Sequence, residues 1–256
     1  MSSREDPNDL RPPWWQVQSR QAARSAAKRS SSRDPVTPER IADAALAIID
    51  RDGLAGLTVR ALAQELGLGT MTLYWYVRNK EEVLDLVADR LLADTQVTPV
   101  VGDWREQCRQ SMVEARGAFL AHPRAVPLIV GRGSFGPNGL RWIDRALAVF
   151  RAAGFTDTDA ADCYFAAANY VAGFCTQETA GSDPTSLVNT DRADFAARAR
   201  QYISLLPADR YPNVVALAAH IFSSSRDERF RFGMEALIAG FEARLDAGKR
   251  VEAPRQ

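Results

Sequence analysis

The stretch from Leu57 to Lys80 constrains the fold more than any other part of the chain, because its pattern fits two short helices joined by a tight turn. Thr58 can cap the first helix, and the apolar residues that follow give that helix a narrow buried face. Gly67 is the residue type that ends a helix in the left-handed conformation. We therefore predict a helix-turn-helix, with a second helix from Thr70 to Val77.

The second predicted helix carries hydroxyl groups, aromatic rings and one flexible thioether, but no charge before Arg78. These side chains are Thr70, Met71, Thr72, Tyr74, Trp75 and Tyr76. Such groups suit hydrogen bonds to base edges and phosphates and apolar contact with thymine methyls. Because the second helix of this motif enters the major groove, the pattern indicates binding of double-stranded DNA.

Helix signals also flank the motif. Thr37-Pro38-Glu39 predicts the start of a helix, and Gly53 predicts its end. Asn79 and Glu82 form a capping box at the start of a further helix. Lys80 opposes the macrodipole of that helix, whereas a phosphate is favoured at the same point. We therefore interpret Lys80 as a phosphate contact, the alternative being a solvated lysine balanced by the neighbouring acids.

The octapeptide LYWYVRNK, which ends at Lys80, resembles the hallmark of the tetracycline-repressor (TetR) family. The resemblance begins at Thr37, is strong to about Leu92 and continues more weakly to the C-terminus. It implies base contacts by Arg60, Thr70, Met71 and Tyr74 and phosphate contacts by Thr72, Tyr76 and Lys80. Thr58 and Trp75 complete the set of residues that we predict to contact DNA.

The chain after Gly102 shows helical periodicity and no strand-like alternation, so we predict an all-α fold. Three regions are expected: a basic arm over 1–36, a helix-turn-helix domain with a connecting helix over 37–94, and a larger helical domain over 95–256.

Residues 37–93 have six basic and nine acidic side chains, a net charge of −3. DNA affinity must then come from a few well-placed groups. The arm, with six basic residues and no acid from 11 to 33, is either a DNA contact or a disordered leader.

Composition limits the other function classes. No run of about 18 apolar residues is present, so no membrane span is expected, and the N-terminus lacks a secretory signal. Three cysteines without metal-type spacing favour a reduced cytoplasm. With only two histidines, each isolated in sequence, we expect no enzyme, no cofactor and no metal site.

Residues 157–180 and 226–247 predict two long helices in the larger domain. The resemblance implies that two such helices from each subunit pack into a four-helix dimer interface. A homodimer also follows from the motif, since one helix-turn-helix reads a half-site and a two-fold pair reads a palindrome. The final helix carries an apolar stripe that we expect a second subunit to cover. The stripe consists of Phe230, Met234, Leu237, Phe241 and Leu245.

The resemblance further implies that the C-terminal helices enclose a small-molecule effector. The predicted lining is Trp104, Met112, Phe119, His122, Ile129, Ile143, Phe165, Asn169, Phe174 and Gln177. In the tetracycline-responsive members, the metal-binding histidine corresponds to Ile129, a carboxylate near the metal to Gln177, and a pocket histidine to Asn169. Because isoleucine cannot coordinate a metal, we expect an apolar effector without a metal. The two amides either orient that effector or are satisfied within the core.

Three functions are then compatible with the sequence. The first is a dimeric repressor that a small hydrophobic inducer releases from a palindromic operator. The second is a constitutive or activating DNA-binding regulator without an effector. The third is a helical enzyme that uses the same fold, which the shortage of nucleophile, base and metal ligands disfavours.

Overall fold

The computed structural model describes residues 35–93, 95, 102–129, 132, 135–180 and 192–252. This part of the chain contains ten α-helices and no β-strand, which confirms the all-α prediction. It forms two compact units. The N-terminal unit comprises the residues before 100 together with 117–145, and the C-terminal unit comprises 100–116 and 146–256. Residues 1–34, which make up nearly all of the predicted basic arm, lie outside the described residues.

Four helices begin the N-terminal unit: α1 (Pro38–Gly56), α2 (Val59–Glu65), α3 (Thr70–Leu73) and α4 (Lys80–Arg90). The predicted start of α1 is confirmed, since the hydroxyl of Thr37 accepts a hydrogen bond from the amide of Arg40 at 3.2 Å. Gly53 has φ of 76°, so it kinks α1 one turn before its end. The core of this unit lies between α1 and α4, where Ile48 and Val87 are fully buried.

Helix α3 is shorter than we predicted. Regular α-helix ends at Leu73, and the chain continues to Tyr76 as a tighter helical turn. In this turn each amide donates to the carbonyl three residues earlier. The amide of Trp75 lies 3.2 Å from the carbonyl of Thr72, and the amide of Tyr76 lies 2.9 Å from the carbonyl of Leu73. Three bulky aromatic and β-branched residues in succession, from Trp75 to Val77, have low helix propensity.

The remaining helices are α5 (Trp104–Ala121), α6 (Pro137–Ala152), α7 (Asp157–Thr179), α8 (Arg192–Ser204), α9 (Pro212–Ile221) and α10 (Arg226–Glu252). A 3₁₀ turn, Val126–Leu128, lies between α5 and α6. In the C-terminal unit, α7 packs against α10 and α8 packs against α9. Ion pairs also connect α5 with α10, among them Arg109 with Glu235 at 2.7 Å.

An aromatic cluster fills the core of the C-terminal unit. The ring of Trp104 meets the ring of Phe155 edge to face, with centroids 5.2 Å apart. Phe150 lies 5.4 Å from Phe155 and 5.8 Å from Phe241, again edge to face. Such edge contacts are the preferred geometry of aromatic pairs and add to the free energy of burial. The cluster therefore connects α5, α6 and α10 around one apolar centre.

The apolar stripe of α10 does not lie where we expected it. Phe230, Met234, Phe241 and Leu245 are buried inside their own chain, and Leu237 is partly buried. Periodicity shows that a helix has an apolar face but not which element covers that face. Among the large apolar side chains described on α10, Phe232 is exposed, at 79% of its area.

No helix among the described residues is both long enough and apolar enough to cross a membrane.

Candidate nucleic-acid interface

A tight turn sets α3 at an angle to α2. Gly67 adopts the predicted left-handed conformation, with φ of 67°. The amide of Leu68 then bonds to the carbonyl of Ala63 at 2.8 Å, which closes the end of α2. The hydroxyl of Thr58 caps the other end of α2 by accepting from the amide of Ala61 at 3.1 Å. Both ends of α2 are thus fixed by local hydrogen bonds, and the predicted helix-turn-helix is confirmed.

Two apolar anchors fix α3 in the N-terminal unit. Leu73 is completely buried and Val77 is 2% exposed. Between and beside these anchors, large side chains point to solvent. Met71 is 78% exposed, Tyr74 47% and Trp75 81%. Exposed aromatic and thioether groups beside buried anchors are typical of a surface that binds a partner, and α3 occupies the position of the recognition helix in a helix-turn-helix.

The polar members of the predicted DNA-binding set surround this apolar patch. Thr70 and Arg60 are exposed, whereas Thr72 and Tyr76 are partly buried. Arg60 lies in the first turn of α2, next to the cap formed by Thr58. The local structure thus brings the predicted base-contacting and phosphate-contacting groups to neighbouring positions of one motif. Their contacts with DNA remain predictions.

Helix α4 begins four residues after Tyr76, at Lys80. The predicted capping box is confirmed on one side, since Asn79 Oδ1 accepts from the amide of Glu82 at 2.8 Å. The carboxylate of Glu82 accepts from the amide of Arg78, at 2.6 Å, rather than from the amide of Asn79 as we predicted. Lys80 is exposed, and its Nζ lies 3.5 Å from the carbonyl of Leu54. A solvated ammonium at a helix N-terminus can pair with a phosphate.

Contacts between α4 and residues 132–139 were not predicted from the sequence. Arg132 forms ion pairs with Glu81 and, at 2.8 Å, with Asp85. The buried carboxylate of Asp89 accepts hydrogen bonds from the first turn of α6, with the amide of Gly139 at 2.8 Å. One signal was available, because Glu81, Asp85 and Asp89 are spaced four apart and share one face of α4.

A second set of contacts joins residues 122–124 to the end of α1. The Nδ1 atom of His122 lies 2.7 Å from a carboxylate oxygen of Asp50. The guanidinium of Arg124 donates to the carbonyls of Asp50 and Arg51, at 3.1 and 2.6 Å. Cations near the C-terminal end of a helix are favoured by its dipole. Although His122 is a predicted effector contact, one of its ring nitrogens is bonded within the N-terminal unit.

The predicted effector residues divide between the two units. Phe119, His122, Ile129 and Ile143 belong to the N-terminal unit, and the other six belong to the C-terminal unit. Among those six, Trp104 and Met112 are buried in the core. Phe174 packs against the guanidinium of Arg116, which lies 5.7 Å from its ring centroid.

Three predicted effector residues lie on one exposed stripe of α7. Phe165, Asn169 and Gln177 are spaced by multiples of four, and all three are exposed in the single chain. The opposite face of α7, which includes Cys163 and Val171, is buried. The stripe is thus a surface of α7 and not part of the core, and its contact with an effector stays a prediction.

The three cysteines are buried within the C-terminal unit. Burial raises the pKa of Cys108 and Cys175 to about 12 and that of Cys163 to about 11. Thiols with such pKa values are almost entirely protonated at neutral pH and are poor nucleophiles. Among the described residues, no three histidine, cysteine, aspartate or glutamate side chains cluster as a metal site.

Comparison with known families tests this interpretation of the fold. Residues 41–87 match the family of bacterial regulatory proteins called tetR, and residues 98–245 match the tetracycline repressor-like C-terminal domain. The second match alone spans more than half of the chain. The chain belongs to the TetR family. It is therefore a DNA-binding transcriptional regulator of the helix-turn-helix type, as the resemblance implied.

Relatives of the TetR family with similar length support the assignment. A transcriptional regulator from Saccharopolyspora erythraea is 32% identical over 84% of this chain and 89% of its own length. The repressor DrrR1 from Streptomyces coeruleorubidus is 29% identical over 88% of this chain and 86% of its own length. The structure of ActR from Streptomyces coelicolor in complex with actinorhodin is 35% identical, covers 82% of this chain and 97% of that one, and has a TM-score of 0.73.

Proposed function

We propose that this TetR-family protein is a dimeric repressor that binds a palindromic operator and is released from it by a small, mostly apolar effector. The DNA-binding part of the proposal rests on the surface of α3 and of the helical turn that follows it, where Met71 and Trp75 are about four-fifths exposed beside fully buried Leu73. Apolar side chains of this size are seldom exposed together without a partner.

Direct readout would use few residues. A guanidinium such as that of Arg60 can grip a guanine through two acceptors, and a thioether or aromatic ring can contact thymine methyls. The hydroxyls of Thr70, Thr72 and Tyr76 and the ammonium of Lys80 would fix the protein on the phosphates. Because the N-terminal domain has a net negative charge, these positioned groups supply affinity that bulk charge cannot.

A dimer interface on α7 and α10 fits the exposed surfaces of the C-terminal unit. Phe165 on α7 is 60% exposed and Phe232 on α10 is 79% exposed. Each of the two helices also has an exposed glycine about two turns further along, Gly173 on α7 and Gly240 on α10, where a second helix could approach closely. A second copy of the chain would cover both rings. The resulting two-fold dimer would present two recognition helices, one for each half-site of a palindrome.

Effector binding is supported by the relatives. ActR, a neighbour in structure, has been solved in complex with actinorhodin and with (S)-DNPA. Isoleucine at position 129 has no atom that can coordinate a metal, and Gln177 offers only a neutral amide oxygen, so these two positions provide a poor ligand set for a metal chelate. An apolar effector bound by dispersion and oriented by amides is the alternative that this residue set favours.

Selection of duplexes from a random DNA library tests the proposal. We expect the protein to enrich a palindromic duplex, which would then serve as the operator probe in gel-shift titrations. Actinorhodin can be added to that complex as a first effector probe. Failure to enrich any sequence would contradict the assignment of α3 as the reading surface. An enriched sequence that no small molecule releases would favour the constitutive regulator.

A further inference from the structure

Helix α4 has three acidic side chains along one face. Glu81, Asp85 and Asp89 follow each other at intervals of four residues, so they lie one above the other. Like charges at this spacing destabilise an isolated helix. Asp89 adds a second cost, because a carboxylate near the C-terminus of a helix opposes the macrodipole. The acidic ladder, as we call these three residues, therefore needs positive partners from outside α4.

The partners of the acidic ladder come from residues 132–139. The guanidinium of Arg132 pairs with Glu81 and Asp85 together. The carboxylate of Asp89 accepts hydrogen bonds from the amide of Gly139 at 2.8 Å and from the side chain and amide of Asn138 at 2.9 and 3.3 Å. Asp89 thus caps helix α6, whose N-terminal dipole favours an anion.

The contact between Asp89 and α6 is closely fitted. Asp89 is 5% exposed, and a Cβ atom placed on Gly136 would overlap its carboxyl group. Only glycine at position 136 allows the first turn of α6 to approach the carboxylate this closely. Since a buried carboxylate that loses its donors incurs a large desolvation cost, the position of α4 against this turn is strongly specified.

Helix α4 is also the element that follows the recognition helix. Asn79 caps its N-terminus, and Lys80 is its first residue. From Lys80 to Asp89 the helix axis runs about 14 Å at 1.5 Å per residue. A rotation of α4 about the Asp89 contact therefore displaces the end that leads to the DNA-contacting surface.

We propose that Asp89 is a positioning residue for operator recognition. Its contact with Gly136, Asn138 and Gly139 fixes the orientation of α4 and so the spacing at which two recognition helices meet DNA. The inference rests on the proposed dimeric, operator-binding function. If the contact is weakened, α4 samples more orientations, and the protein discriminates less between operators whose half-sites are differently spaced.

The test compares duplexes of different half-site spacing. The probes are the operator that the wild-type protein selects from a random library and two versions with one or two base pairs inserted at its centre. The variant Asp89→Asn keeps the side-chain shape, but it removes the charge and replaces one acceptor oxygen by an NH2 donor that would face the donors of Asn138 or Gly139. Asp43→Asn is the matched control, because it removes an exposed ion pair between Arg90 of α4 and α1 without touching residues 132–139.

We expect wild type and Asp43→Asn to prefer the selected spacing to the same degree. In Asp89→Asn the ratio of affinities between selected and expanded duplexes should fall by about threefold or more. Gly136→Ala, which disturbs the contact from the other side, should lower the ratio likewise. The fraction of folded protein, measured by circular dichroism, corrects each titration for lost stability.

A purely structural role for Asp89 predicts a different result. Loss of folded protein lowers binding to all three duplexes by one factor and leaves the ratio unchanged. An unchanged ratio in both Asp89→Asn and Gly136→Ala would overturn the inference while leaving the proposed function intact. If the wild-type protein itself selects no duplex or shows no preferred half-site spacing, the proposed function is contradicted, and the inference that rests on it is contradicted with it.

Discussion

Arg60 and Lys80 differ in what they can contribute to DNA binding, although both are exposed cations beside the recognition helix. If Arg60 grips a guanine, Arg60→Ala should cost about 1–3 kcal/mol and relax base preference at one operator position. If Lys80 contacts a phosphate, Lys80→Ala should weaken all sequences alike and reduce the salt slope by about one. Fluorescence anisotropy at several salt concentrations measures both effects, with Lys80→Arg as the charge-retaining control. Wild-type binding by both alanine variants would refute the assignment.

Trp75 and Leu73 are two residues apart but serve different purposes. Trp75 is 81% exposed, so Trp75→Ala should leave the free energy of unfolding nearly unchanged and lower operator affinity. Leu73 is fully buried, and Leu73→Ala should lower the free energy of unfolding by about 2–5 kcal/mol. Urea unfolding and gel-shift titration of the same preparations separate the two. A strongly destabilised Trp75→Ala would mean that the ring packs in the fold.

At the scale of helices, a feature could be predicted from the sequence when the interactions that cause it join residues close together in the chain. The caps formed by the side chains of Thr37, Thr58 and Asn79 and the turn at Gly67 follow from hydrogen bonds within five residues, and these were predicted correctly, whereas the partner of the Glu82 carboxylate was not. The partner of α10 depends on tertiary packing, which periodicity does not specify. The contact between Asp89 and α6 joins residues about 50 apart in sequence, so the acidic ladder alone could not name its partner.

The proposed dimer interface makes a prediction about α7 and α10. Phe165→Glu combined with Phe232→Glu should give a folded monomer, because both rings are largely exposed in the single chain. Sedimentation at micromolar concentration should show half the mass of wild type, and operator affinity should fall steeply. Phe241→Glu is the contrasting control, since a charge in the aromatic core should unfold the C-terminal unit. A dimeric double variant would place the interface elsewhere.

For the molecule as a whole, acid should lower stability through the ion pairs of the C-terminal unit. Arg109 donates two hydrogen bonds to Glu235 and lowers the pKa of that carboxyl, as Arg105 does for Glu242. A carboxyl with a lowered pKa stabilises the fold above its ordinary pKa of about 4.5, and the stabilisation is lost as the pH falls through the lowered value. The urea midpoint should therefore fall below about pH 4.5. The variant Glu235→Gln should be less stable at neutral pH, and its urea midpoint should fall less steeply as the pH is lowered. A pH profile identical to that of wild type would show that the Arg109–Glu235 ion pair is not the cause.

Release from DNA should not require a divalent metal. The reason lies in the side chains at two effector positions: Ile129 offers no donor atom, and Gln177 offers a neutral amide where a chelate would need charge. An effector that binds through apolar contact loses nothing when free metal is removed. In a gel-shift titration, actinorhodin or any other molecule that releases the operator should act equally with excess EDTA and with added magnesium. Tetracycline with magnesium should have little effect. An effector whose action disappears on chelation and returns with magnesium would show that residues outside this set bind a metal.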